Sequence, residues 1–259
     1  MTIADGLALT ANTKLEQRLL LGLSEDIPWS QYINYIIRWL PTQLFKNNEQ
    51  GAFYLPEPEN LYQDAAMTIP VTANGDPVGA MMDLSGNGNH AIQTVSASRP
   101  TYQTDGILHW LAFDGVDDGF SSIGNYDLKE NTFALAYEQL SLGQVLLRPL
   151  NDDGDYRYVA STSGGVDYGR GVSLISLHVD SQQVNLSNND FSSVLGKHVQ
   201  FWVSDRTTAK SATWSLGTYI SFQMKGKLYG LISVNTRNTT EAQRLDTESY
   251  LANKSGVTL

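Results

Sequence analysis

The chain has 259 residues and is 41% hydrophobic and 17% charged, enough apolar surface for one large core and too ordinary a balance for global disorder. A formal net charge of -10 repels phosphate backbones and speaks against nucleic acid as a partner. The absence of cysteine excludes disulfides, thiolate nucleophiles and Cys-ligated zinc, and no window approaches the ~20 apolar residues that span a bilayer.

Taken in chain order, residues 1–50 read as a helical segment. The stretches TKLEQRLLLGL and WSQYINYIIRWLPTQLF are apolar at spacings of three and four. Trp29, Ile33, Ile36, Ile37 and Leu40 can share one face, Pro28 suits a first helical turn and Pro41 marks an end. Leu19, Leu20, Trp29 and Trp39 need a cover, and either the rest of the chain or a partner supplies it. The opening MTIADGLALT has neither the basic nor the apolar stretch of a secretory leader.

Residues 51–74, with PEPENLYQD, read as a connector. From there to about residue 234, short β-type runs alternate with Gly, Asn, Asp and Ser clusters: 107–113, 132–138, 144–147, 156–160, 172–179, 198–203, 212–216 and 228–234. Regular spacing without intervening helices predicts an all-β sandwich or jelly roll over 75–259. In LISLHVD the period of two sets Leu174, Ser176, His178 and Asp180 against Ile175, Leu177 and Val179, the second group facing the core. The final NTTEAQRLDTESYLANKSG predicts one helix, with Asn238 and Glu241 as a capping pair and Gly256 as its stop.

Three stretches in order, GDPVGAMMDLSGNGNHAIQ, then SRPTY, then LAFDGVDDGF, are followed at the far end by KLYGLISVNTR running into the last helix. Together they resemble the concanavalin A-like (laminin-G-like) jelly-roll modules of tailed-bacteriophage virion structural proteins. The resemblance covers about residues 60–256; the sequence departs from the pattern at Gly119, which stands before Phe120 where a bulky residue usually follows DGVDD. It implies a mainly β, two-sheet sandwich of about a dozen strands with an adhesive or glycan-binding role. The expected location is the virion, as a tail, collar, fibre or decoration component assembled in the host cytoplasm. Residues 1–50 would dock it to other virion proteins through Leu19, Leu20, Trp29, Ile33, Ile36, Ile37, Trp39 and Leu40, with several copies in the particle.

Asp114, Asp117 and Asp118 place three carboxylates within five residues, and Asp83, Asn87 and Asn89 lie one hairpin away. Oxygen-only sets of this kind suit calcium; the plainer alternative is that each side chain caps a turn. Gly86, Gly88 and Ala91 also match G-x-G-x-x-A, but the β-prone IQTVSASRP that follows offers no helix to hold a pyrophosphate. Asn151, Asp153 and Asp155 lack the Gly and Glu spacing of a calcium loop and read as an acidic hairpin turn.

Glycan recognition needs an aromatic platform with a few polar groups, and Tyr156, Arg157, Tyr158, Tyr168 and Arg170 are the candidates, against an alternative role in the core or an interface. Between Gln63 and Thr240 the only Glu residues are Glu130 and Glu138, there is no G-x-S-x-G, and the four histidines show no metal-ligand pairing. The expectation is therefore binding and assembly by a protein that is not an enzyme, with host-surface polysaccharide as the ligand where there is one. A polysaccharide-degrading glycosidase or lyase on the same fold is the alternative.

Overall fold

The computed structural model describes residues 40–120, 125–127, 130–141, 145–149, 158–162, 165–167, 173–184, 196–205, 211–217 and 223–259, all within one unit, Leu40–Leu259. The strands are β1 Gly51–Tyr54, β2 Leu61–Tyr62, β3 Ala80–Met81, β4 Ala91–Ile92, β5 Thr101–Thr104, β6 His109–Asp114, β7 Asn125–Asp127 and β8 Glu130–Gln139. Then follow β9 Val145–Pro149, β10 Tyr158–Thr162, β11 Gly165–Asp167, β12 Ser173–Val179, β13 Gln182–Gln183, β14 Gly196–Asp205, β15 Ser211–Leu216 and β16 Lys225–Val234, and helix α1, Glu241–Ser255.

Every strand pairing is antiparallel. The largest sheet runs β13-β12-β14-β8-β16-β6-β5, and β1 joins it beside β16. A second sheet runs β11-β10-β9-β15-β7, and β2-β3-β4 form a small third one. Strand β16 is spliced: one edge pairs with β8 along its length, while the other takes β6 at Lys225 to Leu228 and β1 at Leu231 to Val234.

Gly51 makes the second half of that splice possible. Its φ is +144°, and a Cβ there would stand 2.0 Å from the carbonyl oxygen of Ser233. Residues 51–74, expected as a connector outside the sandwich, therefore supply β1 and β2, and even before them Leu44 and Phe45 are buried in a short 3-10 turn.

Burial alternates as the pleat requires, but the central strands are covered on both faces. On the inner face of the large sheet, Phe133, Leu135 and Tyr137 of β8 join Trp202 of β14 and Leu177 of β12, all buried. The ring of Phe133 stacks on Trp202 and meets Trp214 of the second sheet edge to face. Along β12 the predicted inward trio is broken: Leu177 is buried but Ile175 is 50% exposed, because the register shifts between Leu174 and Ser176.

Helix α1 lies on the outer face, where Ala134 and Ala136 of β8 and Gly230 of β16 form a floor of small residues. A Cβ at Gly230 would stand 2.9 Å from Leu251 of the helix. The capping box is Thr240 with Gln243, not Asn238 with Glu241: Thr240 Oγ1 accepts from the Gln243 N–H at 3.2 Å, and Gln243 Oε1 accepts from the Thr240 N–H at 2.9 Å. Both pairs have the three-residue spacing; Thr132 Oγ1 donates to Thr236 O at 2.7 Å and so ties the approach to β8, and Thr240 is the residue with extended N-cap backbone. Gly256 ends the helix as expected. Among the described residues no helix is long and apolar enough to cross a membrane.

Candidate functional site

The turn after β6 gathers Asp114, Asp117 and Asp118, with one carboxylate oxygen of each within 4.8 Å of the others. Local hydrogen bonds set this geometry. Asp118 Oδ2 accepts from the Asp114 N–H at 2.9 Å, Asp114 Oδ1 accepts from the Val116 N–H at 2.7 Å, and Asp117 Oδ2 accepts from Ser98 Oγ at 3.0 Å. Asp118 is buried while the other two are exposed. Burial, with the neighbouring charges of Asp114 and Asp117, pushes the Asp118 carboxyl up to about 6. Three oxygens offer part of a calcium shell, which takes six to eight.

Asp83, Asn87 and Asn89 do not complete that shell. Asp83 accepts from the N–H groups of Phe53, Ser85 and Asn89 and from Ser85 Oγ, all at 2.8 or 2.9 Å. The side-chain amides of Asn87 and Asn89 donate to Gly51 O, and Asn87 also to Glu49 O. These residues tie their loop to the start of β1. Gly51 pairs with Val234 and Asp114 with Lys225, so the two loops sit at opposite ends of β16. Nine strand residues at ~3.3 Å each separate them by about 30 Å, too far to share an ion. The calcium set is thereby corrected to Asp114, Asp117 and Asp118, and the loop at Asp83 follows the turn-capping alternative.

Of the glycan candidates, Tyr156, Arg157, Tyr168 and Arg170 lie outside the described residues, and Tyr158 opens β10. The docking positions Leu19, Leu20, Trp29, Ile33, Ile36, Ile37 and Trp39 also lie outside them; Leu40 is 50% exposed. Asn151, Asp153 and Asp155 fall in the same category. His90, His109 and His198 each bond a neighbour of their own, respectively the Asp83 N–H, the Tyr102 hydroxyl and the Asp180 carboxylate.

An ion cluster, buried at Arg244 and Glu248 and exposed at Glu241, fastens α1 to the β12–β13 hairpin. Arg244 reaches both Glu241 and Glu248 within the helix, and Ser181 Oγ, at the tip of the β12–β13 hairpin, donates to Glu248 Oε2 at 2.8 Å. Glu248 is fully buried, and burial raises its carboxyl above the usual range against the pull of Ser181 and Arg244. Burial and the Arg244 charge lower the His178 imidazole on the same face.

A second outer-face group was not singled out by the sequence. Past the end of α1, Lys197 of β14, Glu138 of β8, Lys227 and Tyr229 of β16, and Trp110 of β6 stand on adjacent strands. Lys227 Nζ lies 2.8 Å from Glu138 Oε2 and 5.1 Å from the Trp110 ring centre. Tyr229 donates to Glu138 Oε2 at 3.3 Å and its ring lies 5.9 Å from that of Trp110. Lys197 Nζ sits 4.7 Å over the Tyr229 ring and donates to Ser255 O at 2.9 Å. Burial acts to raise the Glu138 carboxyl, but Lys227, Tyr229 and Lys197 hold it below the usual range. The alternation of HWLAFD, with Trp110 out of phase with Leu111 and Phe113, was the available signal.

No family model matches the chain, and no curated protein matches it. Two solved structures are similar. One is Trypanosoma rangeli sialidase in complex with the inhibitor DANA, 14% identical, with a TM-score of 0.41 over 76% of this chain and 32% of that one. The other is the same sialidase in complex with 2,3-difluoro-KDN, 14% identical, with a TM-score of 0.37 over 85% of this chain and 39% of that one. This chain thus spans 32% and 39% of the two sialidase chains. The expectation of a protein that is not an enzyme is corrected here: both neighbours are enzymes, and the exclusion of catalysis is withdrawn. At these identities and scores no activity passes from them to this chain.

Proposed function

We propose that this chain is a virion structural protein of a tailed bacteriophage, a tail, collar, fibre or decoration component whose concanavalin A-like jelly roll adheres to host-surface polysaccharide. One observation carries the reading. Two of the stretches that bear the resemblance, LAFDGVDDGF and KLYGLISVNTR, lie more than a hundred residues apart, yet β6 pairs directly with β16, and α1 follows from β16 onto the same sheet. That joins the motif-bearing turn and the C-terminal strand and helix into one module, which supports the reading. The attachment segment, expected over residues 1–50, is narrowed to 1–39, since Leu40–Leu259 form one unit in which Leu44 and Phe45 are buried. It docks to other virion proteins, and multiple copies turn weak surface contacts into avidity.

The test is incorporation into particles. The full chain is expected to be recovered with assembled virions, and a chain starting at Leu40 to stay behind as soluble protein. Recovery of both would remove the attachment role; recovery of neither would remove the virion reading.

A further inference from the structure

We propose that Asn87 is a site of spontaneous covalent modification, where water converts its side-chain amide to a carboxylate and so loosens the start of β1. The chain carries two Asn-Gly steps, Asn74–Gly75 and Asn87–Gly88. The fold protects the first and leaves the second open.

The reaction needs only water and hydroxide. Hydroxide takes the proton of the glycine N–H, the nitrogen attacks the asparagine Cγ, and the Cγ–Nδ2 bond breaks, Nδ2 leaving as ammonia with a proton from water. Water then opens the resulting five-membered imide at either carbonyl, giving aspartate or isoaspartate. One water is consumed for each ammonia released, and nothing is oxidised or reduced. Glycine is the residue that permits the attack, since no Cβ crowds the nucleophile. Asn89, in the same loop, is followed by His90 and lacks that freedom.

At Asn74 both reacting groups are held against β5. The Gly75 N–H donates to Tyr102 O at 2.8 Å, and Asn74 Oδ1 accepts from the Thr104 N–H at 2.8 Å. A hydrogen-bonded N–H is shielded from base, and ring closure there waits on local opening. At Asn87 the nucleophile is bare: Gly88 is exposed, a Cβ there would meet nothing within 4 Å, and its N–H makes no hydrogen bond among the described residues. The Asn87 amide is held through Nδ2, which donates to Glu49 O at 3.0 Å and to Gly51 O at 3.2 Å. Those bonds slow its swing toward Gly88 but do not cover the attacking nitrogen.

The same two bonds set the consequence. A carboxylate at position 87 has no proton to donate, so its oxygens would face two carbonyl oxygens and the ties to Glu49 and Gly51 would be lost. Gly51 is the residue through which β1 meets Val234 of β16. Modification therefore acts on the β1–β16 edge, and it runs one way.

The experiment ages the full chain in mildly alkaline buffer, folded and in urea, and follows each asparagine by peptide mass mapping with isoaspartate detection. In urea the two Asn-Gly steps should react at similar rates, whereas in the folded chain Asn87 should react at least ~10-fold faster than Asn74. Amide hydrogen exchange over residues 51–54 should quicken in the aged parent and in Asn87→Asp, while exchange over 101–104 stays unchanged; the aged parent gives this reading even where the variant fails to fold. Equal rates in the folded chain, a faster Asn74, or an Asn87 left intact while the urea sample reacts would overturn the site. Unchanged exchange over 51–54 in the modified chain would overturn the loosening of β1.

Discussion

Phe133 on β8 and Trp214 on β15 meet edge to face, their ring centres 5.1 Å apart at 61°, and this contact joins the large sheet to the second one. The same Phe133 ring stacks on Trp202 at 5.1 Å and 19°, and all three residues are buried. Phe133→Ala is therefore expected to destabilise the fold by about 3 to 5 kcal/mol. Tryptophan fluorescence and far-ultraviolet circular dichroism should report one coincident denaturant transition in the parent and in the variant. Two separated transitions would mean that the sheets unfold independently.

Gly230 is set by contact with the helix above it. A methyl group there would press on Leu251 at 2.9 Å and on Leu55 at 3.2 Å, inside a packed interface. Gly230→Ala should cost about 1 to 3 kcal/mol, and Gly230→Ala with Leu251→Ala should lose less than the two single losses added, since the added methyl group then has the room the leucine vacated. A double-mutant cycle on chemical denaturation measures the coupling, and additive losses would contradict the contact.

Asp118 gives the turn after β6 a pH signature. Its folded-state carboxyl, at about 6, binds a proton more tightly than the unfolded group at 3.8. Its contribution to stability is full below the unfolded value and is lost as pH rises through about 6. Asp118→Asn should therefore be more stable than the parent at pH 7, by about 1 to 3 kcal/mol, and the gap should close toward pH 4. Calcium at pH 7 should raise the melting temperature of the parent and leave Asp118→Asn unmoved. A parent unmoved by calcium takes the ion out of the account.

Arg244 and Glu248 form a buried pair whose two halves are unequal when broken. Arg244→Met leaves the Glu248 carboxyl buried without its cation and should cost about 3 to 5 kcal/mol. Arg244→Met combined with Glu248→Leu should recover most of it, since neither charge then has to be buried. Thermal unfolding of the single and double variants measures the difference; equal losses in both would show that packing, and not charge, holds the helix.

All eight strand runs read from the pattern became strands, because long alternating runs state their period plainly. The strands that escaped are two to four residues long, β1 and β5 the longest, and lie in turn-rich sequence. For β1 the decisive fact is Gly51, whose need shows only once Ser233 is beside it. The acid turn was legible since its three Asp residues are neighbours in sequence. Adding Asp83, Asn87 and Asn89 assumed a nearby hairpin, and the spliced edge of β16 put them at its other end. The Trp110 face went unread because its members come from separate strands, and only the register brings them side by side.

Strand β16 touches β8, β6 and β1, yet it follows all three in the chain. Until residue 234 has emerged, the β5–β6 hairpin and β1 have no strand to join them to β8, and their apolar faces wait. The sheet is therefore completed in one late step, by pairings of long sequence separation, which slows folding and leaves the nascent chain open to association. A chain stopped before Lys225 would leave the β5–β6 hairpin unjoined to β8, so termination there should give no smaller working version of this sheet.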